Sequence, residues 1–198
     1  MKVGQINRGS ILGEKIFNLS RQQDVQTIVE IGTWNGMGST KCIYDAVLGS
    51  NKEVWSLECN ETRHNEAKLN LGIIPNNFNL VLGTIVTADE LEPLMDGLER
   101  QDGLKTWLME DLRWIRESQC LIDEIPEKID LLIIDGGEFS GYMEFIKLWE
   151  RCRYIIIDDT KASKHEKTRD FILSKPETFK VIDDNLVERN GFLICEVC

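Results

Sequence analysis

Two apolar runs near the end of the chain, Phe179-Lys-Val-Ile182 and Phe192-Leu-Ile-Cys-Glu-Val197, are separated only by residues 183–191. A parallel strand pair needs a crossover of roughly a dozen residues or more, whereas a hairpin closes over a short connection. The two runs are therefore expected to pair antiparallel. Upstream the pattern is different. Buried-strand runs at Thr27–Ile31, Glu53–Leu57, Phe78–Leu82, Ile129–Ile134 and Tyr154–Ile157 alternate with amphipathic stretches near 8–22, 36–47, 61–71, 142–150 and 164–174. That alternation is the signature of βαβ units. The chain should fold as an α/β domain: a mostly parallel seven-stranded sheet, closed by an antiparallel C-terminal strand, with helices on both faces.

The 198 residues suit one domain spanning 1–198, and no internal repeat divides them. Between the third and fourth strands, about 84–128, Leu104, Trp107, Leu108, Leu112 and Ile115 recur at helical spacing. The reading there is an extended helical crossover, and both a lid over the site and a plain packed helix pair stay open. The net charge of −11 and a sequence pI near 4.7 argue against nucleic acid, which needs a basic face. The four basic residues within 161–169 are interrupted by Glu166 and read as a solvated helix start. No apolar signal core opens the sequence and no run reaches membrane-spanning length, so no membrane partner is expected and the cytoplasm is the default location. Six cysteines are scattered without a disulfide or zinc spacing, Cys195-x-x-Cys198 lacking a second pair.

Chemistry concentrates where strands end. Glu30-Ile-Gly-Thr-Trp-Asn-Gly-Met-Gly-Ser39 joins a strand to a helix, with glycines at 32, 36 and 38. Glycines let a backbone approach a ligand, and a helix N-terminus offers unpaired N–H groups to an anion. The spacing Gly-x-x-x-Gly-x-Gly departs from the dinucleotide pattern, and the acid at 30 disfavours a pyrophosphate. Glu58 ends the second strand, where nucleoside-binding sheets place an acid for ribose hydroxyls. Asp135 ends the fourth strand, and Asp158-Asp159 the fifth. If those strands are neighbours, three carboxylates converge, and such a set calls for a cation or a raised pKa. Oxygen ligands of this kind suit Mg²⁺, Ca²⁺ or Mn²⁺, and a bound ion could prime a substrate hydroxyl.

These residues resemble a known group. Glu-Ile-Gly-Thr-x-x-Gly-x-x-Ser, the acid after strand two and Leu-Ile-Ile-Asp-Gly-Gly are similar to class I S-adenosyl-L-methionine-dependent methyltransferases. The nearest resemblance is to small O-methyltransferases of the catechol type and to the cephalosporin-hydroxylase-like family. It implies a Rossmann-like methyltransferase fold and S-adenosyl-L-methionine as cofactor. It also implies that Glu30, Gly32, Gly36, Gly38 and Ser39 hold the methionine part, Glu58 the ribose, and Gly83-Thr84 the adenine edge. Asp135 would face the methionine amino group and, with Asp158 and Asp159, an Mg²⁺ ion. Trp34, inside the turn, could flank the cofactor. Trp107 and Trp114 could line an aromatic pocket or pack in the core.

The catechol enzymes carry a lysine base three residues after the first metal aspartate, and Glu138 stands there instead. Glu138, Lys161 and His165 are the candidate bases, although His165, like His64, also reads as a surface residue. The acceptor implied is a small-molecule hydroxyl on a sugar, a polyketide-like compound or a catechol. A face of the first helix could serve a homodimer. Two other readings stay open: a fold that binds cofactor or partner without turnover, and an NAD(P)-dependent Rossmann enzyme.

Overall fold

The computed structural model describes residues 3–98 and 102–198, with the backbone alone at 97, 98 and 102. Seven strands form one sheet: β1 Thr27–Ile31, β2 Glu53–Glu58, β3 Phe78–Leu82, β4 Ile129–Ile134, β5 Cys152–Asp158, β6 Phe179–Asn185 and β7 Phe192–Val197. Their order across the sheet is β3-β2-β1-β4-β5-β7-β6. The pairs from β3 through β5 are all parallel. β7 runs antiparallel to β5, with Asp158 opposite Phe192, and antiparallel to β6. The short connection thus makes the expected hairpin, and β7 is threaded inside it, leaving β6 at the edge. That edge is irregular between Val181 and Asp183 and carries Lys180, Asp183 and Asp184, features that discourage further strand pairing.

Alternation along the strands builds two cores. Ile28, Val54, Leu131, Ile133, Ile156 and Ile194 point to one face. There they meet Leu12 and Ile16 of α1 (Ile11–Arg21) and Cys42, Ile43 and Val47 of α2 (Ser39–Val47). Val29, Ile31, Leu132, Ile134, Ile155 and Leu193 point to the other. Their partners include Phe145 and Leu148 of α6 (Gly141–Leu148) and Ile172 of α7 (Glu166–Leu173). The central strands β1, β4 and β5 are apolar on both sides because both sides are covered. α1 starts at Ser10, whose hydroxyl accepts from the Gly13 N–H. α3 (Glu61–Leu71) starts at Asn60, whose side-chain Oδ1 accepts from the Arg63 N–H.

One boundary that differs from the sequence reading bears on the site. α2 begins at Ser39, not 36, because residues 32–38 are spent on a turn with positive φ at Gly32, Trp34 and Gly36. The crossover after β3 comprises α4 (Ala88–Leu91), a 3₁₀ turn over Glu92–Leu98 and α5 (Asp102–Glu117); its residues 99–101 lie outside the described set. Leu108, Leu112 and Ile115 of α5 pack on Val86, Ala88 and Leu91, making a third, smaller core. Trp107 does not join it: the residue is 55% exposed.

Candidate functional site

A cavity of about 540 Å³ opens at the carboxyl ends of β1, β2 and β4. β1 has β2 on one side and β4 on the other. The chain therefore leaves β1 and β4 in opposite directions, the place where open α/β sheets bind ligands. Gly32 fixes the floor. Its φ is +100°, and a Cβ there would stand 2.3 Å from the Asp135 carbonyl oxygen, so only glycine lets the ends of β1 and β4 meet. Gly38 and Ser39 bring the start of α2 onto the wall. Over them lies the segment Val3–Ile6, anchored by the Gly4 N–H donating to the Met37 carbonyl at 2.8 Å. No sequence motif marks this strap.

The two acids of the first half take different positions. Glu30 is fully buried beneath the turn and is not on the cavity wall. One of its oxygens accepts from Thr40 Oγ1 at 2.8 Å and from Ser56 Oγ at 2.6 Å, and Thr40 also donates to the Thr33 carbonyl. It thereby ties α2, β2 and the turn together, while burial holds its carboxyl up at about 7. Gly36 is likewise off the wall: a Cβ there would press on Ala67 and Leu71 of α3. Glu58 is on the wall. One oxygen accepts from the Trp34 N–H at 2.7 Å and the other from the Asn60 N–H at 2.9 Å. Each keeps a lone pair for a ligand. Burial, only partly offset by those bonds, raises Glu58 to about 7. Trp34 and Thr84 line the cavity as well, Thr84 at the point where its N–H bonds the Gln119 carbonyl at 2.9 Å.

The three aspartates do converge. Ligand oxygens of Asp135, Asp158 and Asp159 lie within 4.8 Å of one another, because β4 and β5 are neighbours. Two cations already sit among them. Lys164 Nζ is 2.9 Å from Asp135 and 3.5 Å from Asp159; Arg189 Nη2 is 2.9 Å from Asp158 and 3.5 Å from Asp159. Burial would lower Lys164, but its ion pairs outweigh that and leave it above the usual lysine range. Asp158 is raised to about 7 by burial and then by the neighbouring aspartates. As arranged, the cluster does not fit a divalent ion, because its carboxylates are spoken for by an ammonium and a guanidinium. The sequence reading took Lys164 for part of a solvated helix start, whereas it is buried against the aspartates; it passed over Arg189, which is thirty residues from Asp159 and signals nothing locally.

Among the described residues, none of the three candidate bases reaches the cavity wall. Glu138 accepts from Ser163 Oγ at 3.0 Å. Lys161 is exposed, its Nζ donating to the Leu186 carbonyl. His165 is fully buried, wedged so closely on Gly141 that a Cβ there would fall 2.1 Å from its Cε1. Burial and the nearby Lys164 push its pKa well down, so the ring is neutral. His64 is also buried, with Nε2 3.2 Å from the Leu80 carbonyl oxygen. Neither histidine is the surface residue its surroundings in sequence suggested.

The structure adds two acids that helical patterning hid. Asp111 of α5 and Glu144 of α6 line the cavity against Gly137 and Gly136, each with one buried oxygen lacking a hydrogen-bond partner. Burial raises Asp111 to about 6 and Glu144 to about 7. Trp114 of α5 lines the same wall with Ile115, which places α5 over the pocket.

No family model and no curated protein matches the chain. Solved structures do. A protein from Staphylococcus aureus, proposed to be a caffeoyl-CoA O-methyltransferase, matches with a TM-score of 0.64 at 17% identity, over 99% of this chain and 86% of its own. An O-methyltransferase from Bacillus cereus, in complex with SAH, gives 0.62 at 17%, over 99% and 84%. The SAH-bound methyltransferase PaMTH1 of Podospora anserina gives 0.62 at 14%, over 96% and 79%. The chain has the fold of these methyltransferases. An all-parallel dinucleotide-binding sheet is excluded by the antiparallel β7.

Proposed function

We propose that this protein transfers a methyl group from S-adenosylmethionine to a hydroxyl oxygen of a small molecule. The observation that carries the reading is Glu58: a carboxylate at the end of β2, steadied by two backbone N–H groups and facing a cavity beside a Gly32 turn. It is suited to accept both hydroxyls of a ribose. The cavity volume lies within the range of cofactor pockets. Gly32, Gly38 and Ser39, at the start of α2, would take the methionine carboxylate, and Asp135 its ammonium. Gly83 and Thr84, with Trp114 and Ile115 across from them, would enclose the adenine. Glu30 and Gly36 would act through the turn they support, and Trp34, on the cavity wall, would flank the cofactor.

When bound, the cofactor supplies an electrophilic methyl group on a sulfonium; transfer forms a C–O bond as the C–S bond breaks, and the hydroxyl's proton would pass to Asp159, the carboxylate at the acceptor end of the cavity, and from there to water. The protein contributes alignment and removal of water, which need few catalytic side chains. The acceptor would enter where Asp159 and Arg189 border the cavity. A small acceptor accords with the net charge of −11, which disfavours nucleic acid, and among the described residues no helix is long and apolar enough to cross a membrane.

The test is to incubate the protein with S-adenosylmethionine and a panel of catecholic, sugar and polyketide-like hydroxyl compounds, following S-adenosylhomocysteine formation. Acceptor-dependent turnover is expected. Binding of the homocysteine product without any turnover would leave a non-catalytic binding domain, and absence of binding would remove the methyltransferase reading altogether.

A further inference from the structure

The carboxylate cluster at the ends of β4 and β5 has the composition of a divalent-cation site, yet the chain fills it from within. Lys164 comes from the segment between β5 and α7, and its side chain is only 8% exposed. Its ammonium lies within hydrogen-bonding reach of Asp135 and at the limit of reach of Asp159. Arg189, held at φ +50° in the β6–β7 connection, does the same for Asp158 and Asp159. Every one of the three carboxylates therefore has a cationic partner. A divalent ion would coordinate the same oxygens at about 2.0–2.6 Å. It would then stand within a few ångströms of two positive groups and would have to expel both. Expelling Lys164 means moving a buried side chain from between two strand ends, and expelling Arg189 means breaking a partly buried ion pair with Asp158, itself 3% exposed, and finding the guanidinium a new place.

We infer that Lys164 and Arg189 occupy the cation position of this site, making it independent of divalent metals, with Arg189 as the positive group presented to the ligand. Arg189 borders the cavity directly, whereas Lys164 acts from behind through Asp135 and Asp159. Lys164 is thus a positioning residue. A negatively polarised acceptor oxygen entering the cavity would meet a fixed guanidinium in place of a metal ion. Exclusion of the metal stands whether or not methyl transfer is the reaction; only the identity of that oxygen rests on the proposed function.

The experiment is titration of the unliganded protein with Mn²⁺, read by loss of the free-ion paramagnetic resonance signal, on wild type and on Lys164→Met with Arg189→Met. Wild type should leave the signal unchanged at millimolar Mn²⁺. The double variant, with three uncompensated carboxylates, should bind Mn²⁺ at least about tenfold more tightly, the lower end of what close charge pairs produce. Stoichiometric Mn²⁺ binding by wild type would overturn the inference, as would a folded double variant that gains no site. If the double variant does not fold, the melting temperature of wild type decides. It should be the same in manganese and in EDTA, whereas an ion held at a hundred times its dissociation constant would raise it by roughly 5–10 °C. S-adenosylhomocysteine titration in EDTA, run in parallel, separates failure of the cofactor reading from failure of this one.

Discussion

Replacing Glu58 with glutamine should separate ligand binding from stability. In the wild type each carboxylate oxygen accepts one backbone N–H, from Trp34 at 2.7 Å and from Asn60 at 2.9 Å. An amide must aim its NH₂ at one of those N–H groups, leaving donors face to face, which costs about 1–3 kcal/mol. The same change removes a carboxyl that burial holds at about 7 against a usual 4.5. Ionising it at pH 8 costs the folded state about 3 kcal/mol relative to the unfolded chain. The two effects oppose each other, so the unliganded variant should melt within a few degrees of wild type at pH 8. Binding has no such compensation. The amide keeps one acceptor oxygen and no charge, so one charged hydrogen bond to the ribose is lost and the other weakened. That amounts to roughly 2–3 kcal/mol, or S-adenosylhomocysteine binding about 30- to 150-fold weaker. Isothermal titration and thermal melting at pH 8 are the assays. Affinity within about threefold of wild type, in a variant that melts normally, would refute the assignment of Glu58 to the ribose.

The unliganded protein should lose stability as pH rises from 6 to 8. Glu30, Glu58, Glu144 and Asp158 are raised to about 7 by burial, so over this range the folded state holds protons that the unfolded chain has already released. His64 and His165, both lowered by burial, act in the opposite sense but more weakly. The net loss should be roughly 2–4 kcal/mol, measured by urea unfolding at the two pH values, and greater stability at pH 8 would contradict it. Gly32→Ala should lower the melting temperature by roughly 5–15 °C, since a Cβ 2.3 Å from the Asp135 carbonyl oxygen at φ +100° forces the ends of β1 and β4 apart. An unchanged melting temperature would show that the turn relaxes freely.

The strands were legible because each is a short apolar run bounded by turn residues, and covering both sheet faces leaves no competing pattern. The hairpin was legible from the length of 183–191 alone. Its threading was not, since nothing local says that β7 pairs with β5 as well as β6. The start of α2 was misplaced because glycine spacing marks a turn without saying where it ends. At the site, residues at strand ends were found because position in a strand fixes where a side chain emerges. Lys164 and Arg189 were missed because their partners are set by the sheet order. Asp111 and Glu144 were missed because an acid in an amphipathic helix looks like a solvent-facing one. Trp107 and Trp114, seven residues apart on α5, would share a face by simple helical spacing. They do share it, and differ along the axis instead: two turns, about 10 Å, separate them, so Trp107 is exposed while Trp114 lines the cavity.

The placement of β7 also bears on how the protein is made. Ile155, Ile156 and Ile157 of β5 pair with Cys195, Ile194 and Leu193, residues synthesised after every other strand of the sheet. Until they emerge from the ribosome, β5 presents an unpaired apolar edge, and β6 has no neighbour at all. The nascent domain therefore carries an adhesive edge until residues 192–197 have been made, when other growing chains are close by. A chaperone acting on this protein would find its binding window there, closing when residues 192–197 slide between the two strands that wait for them.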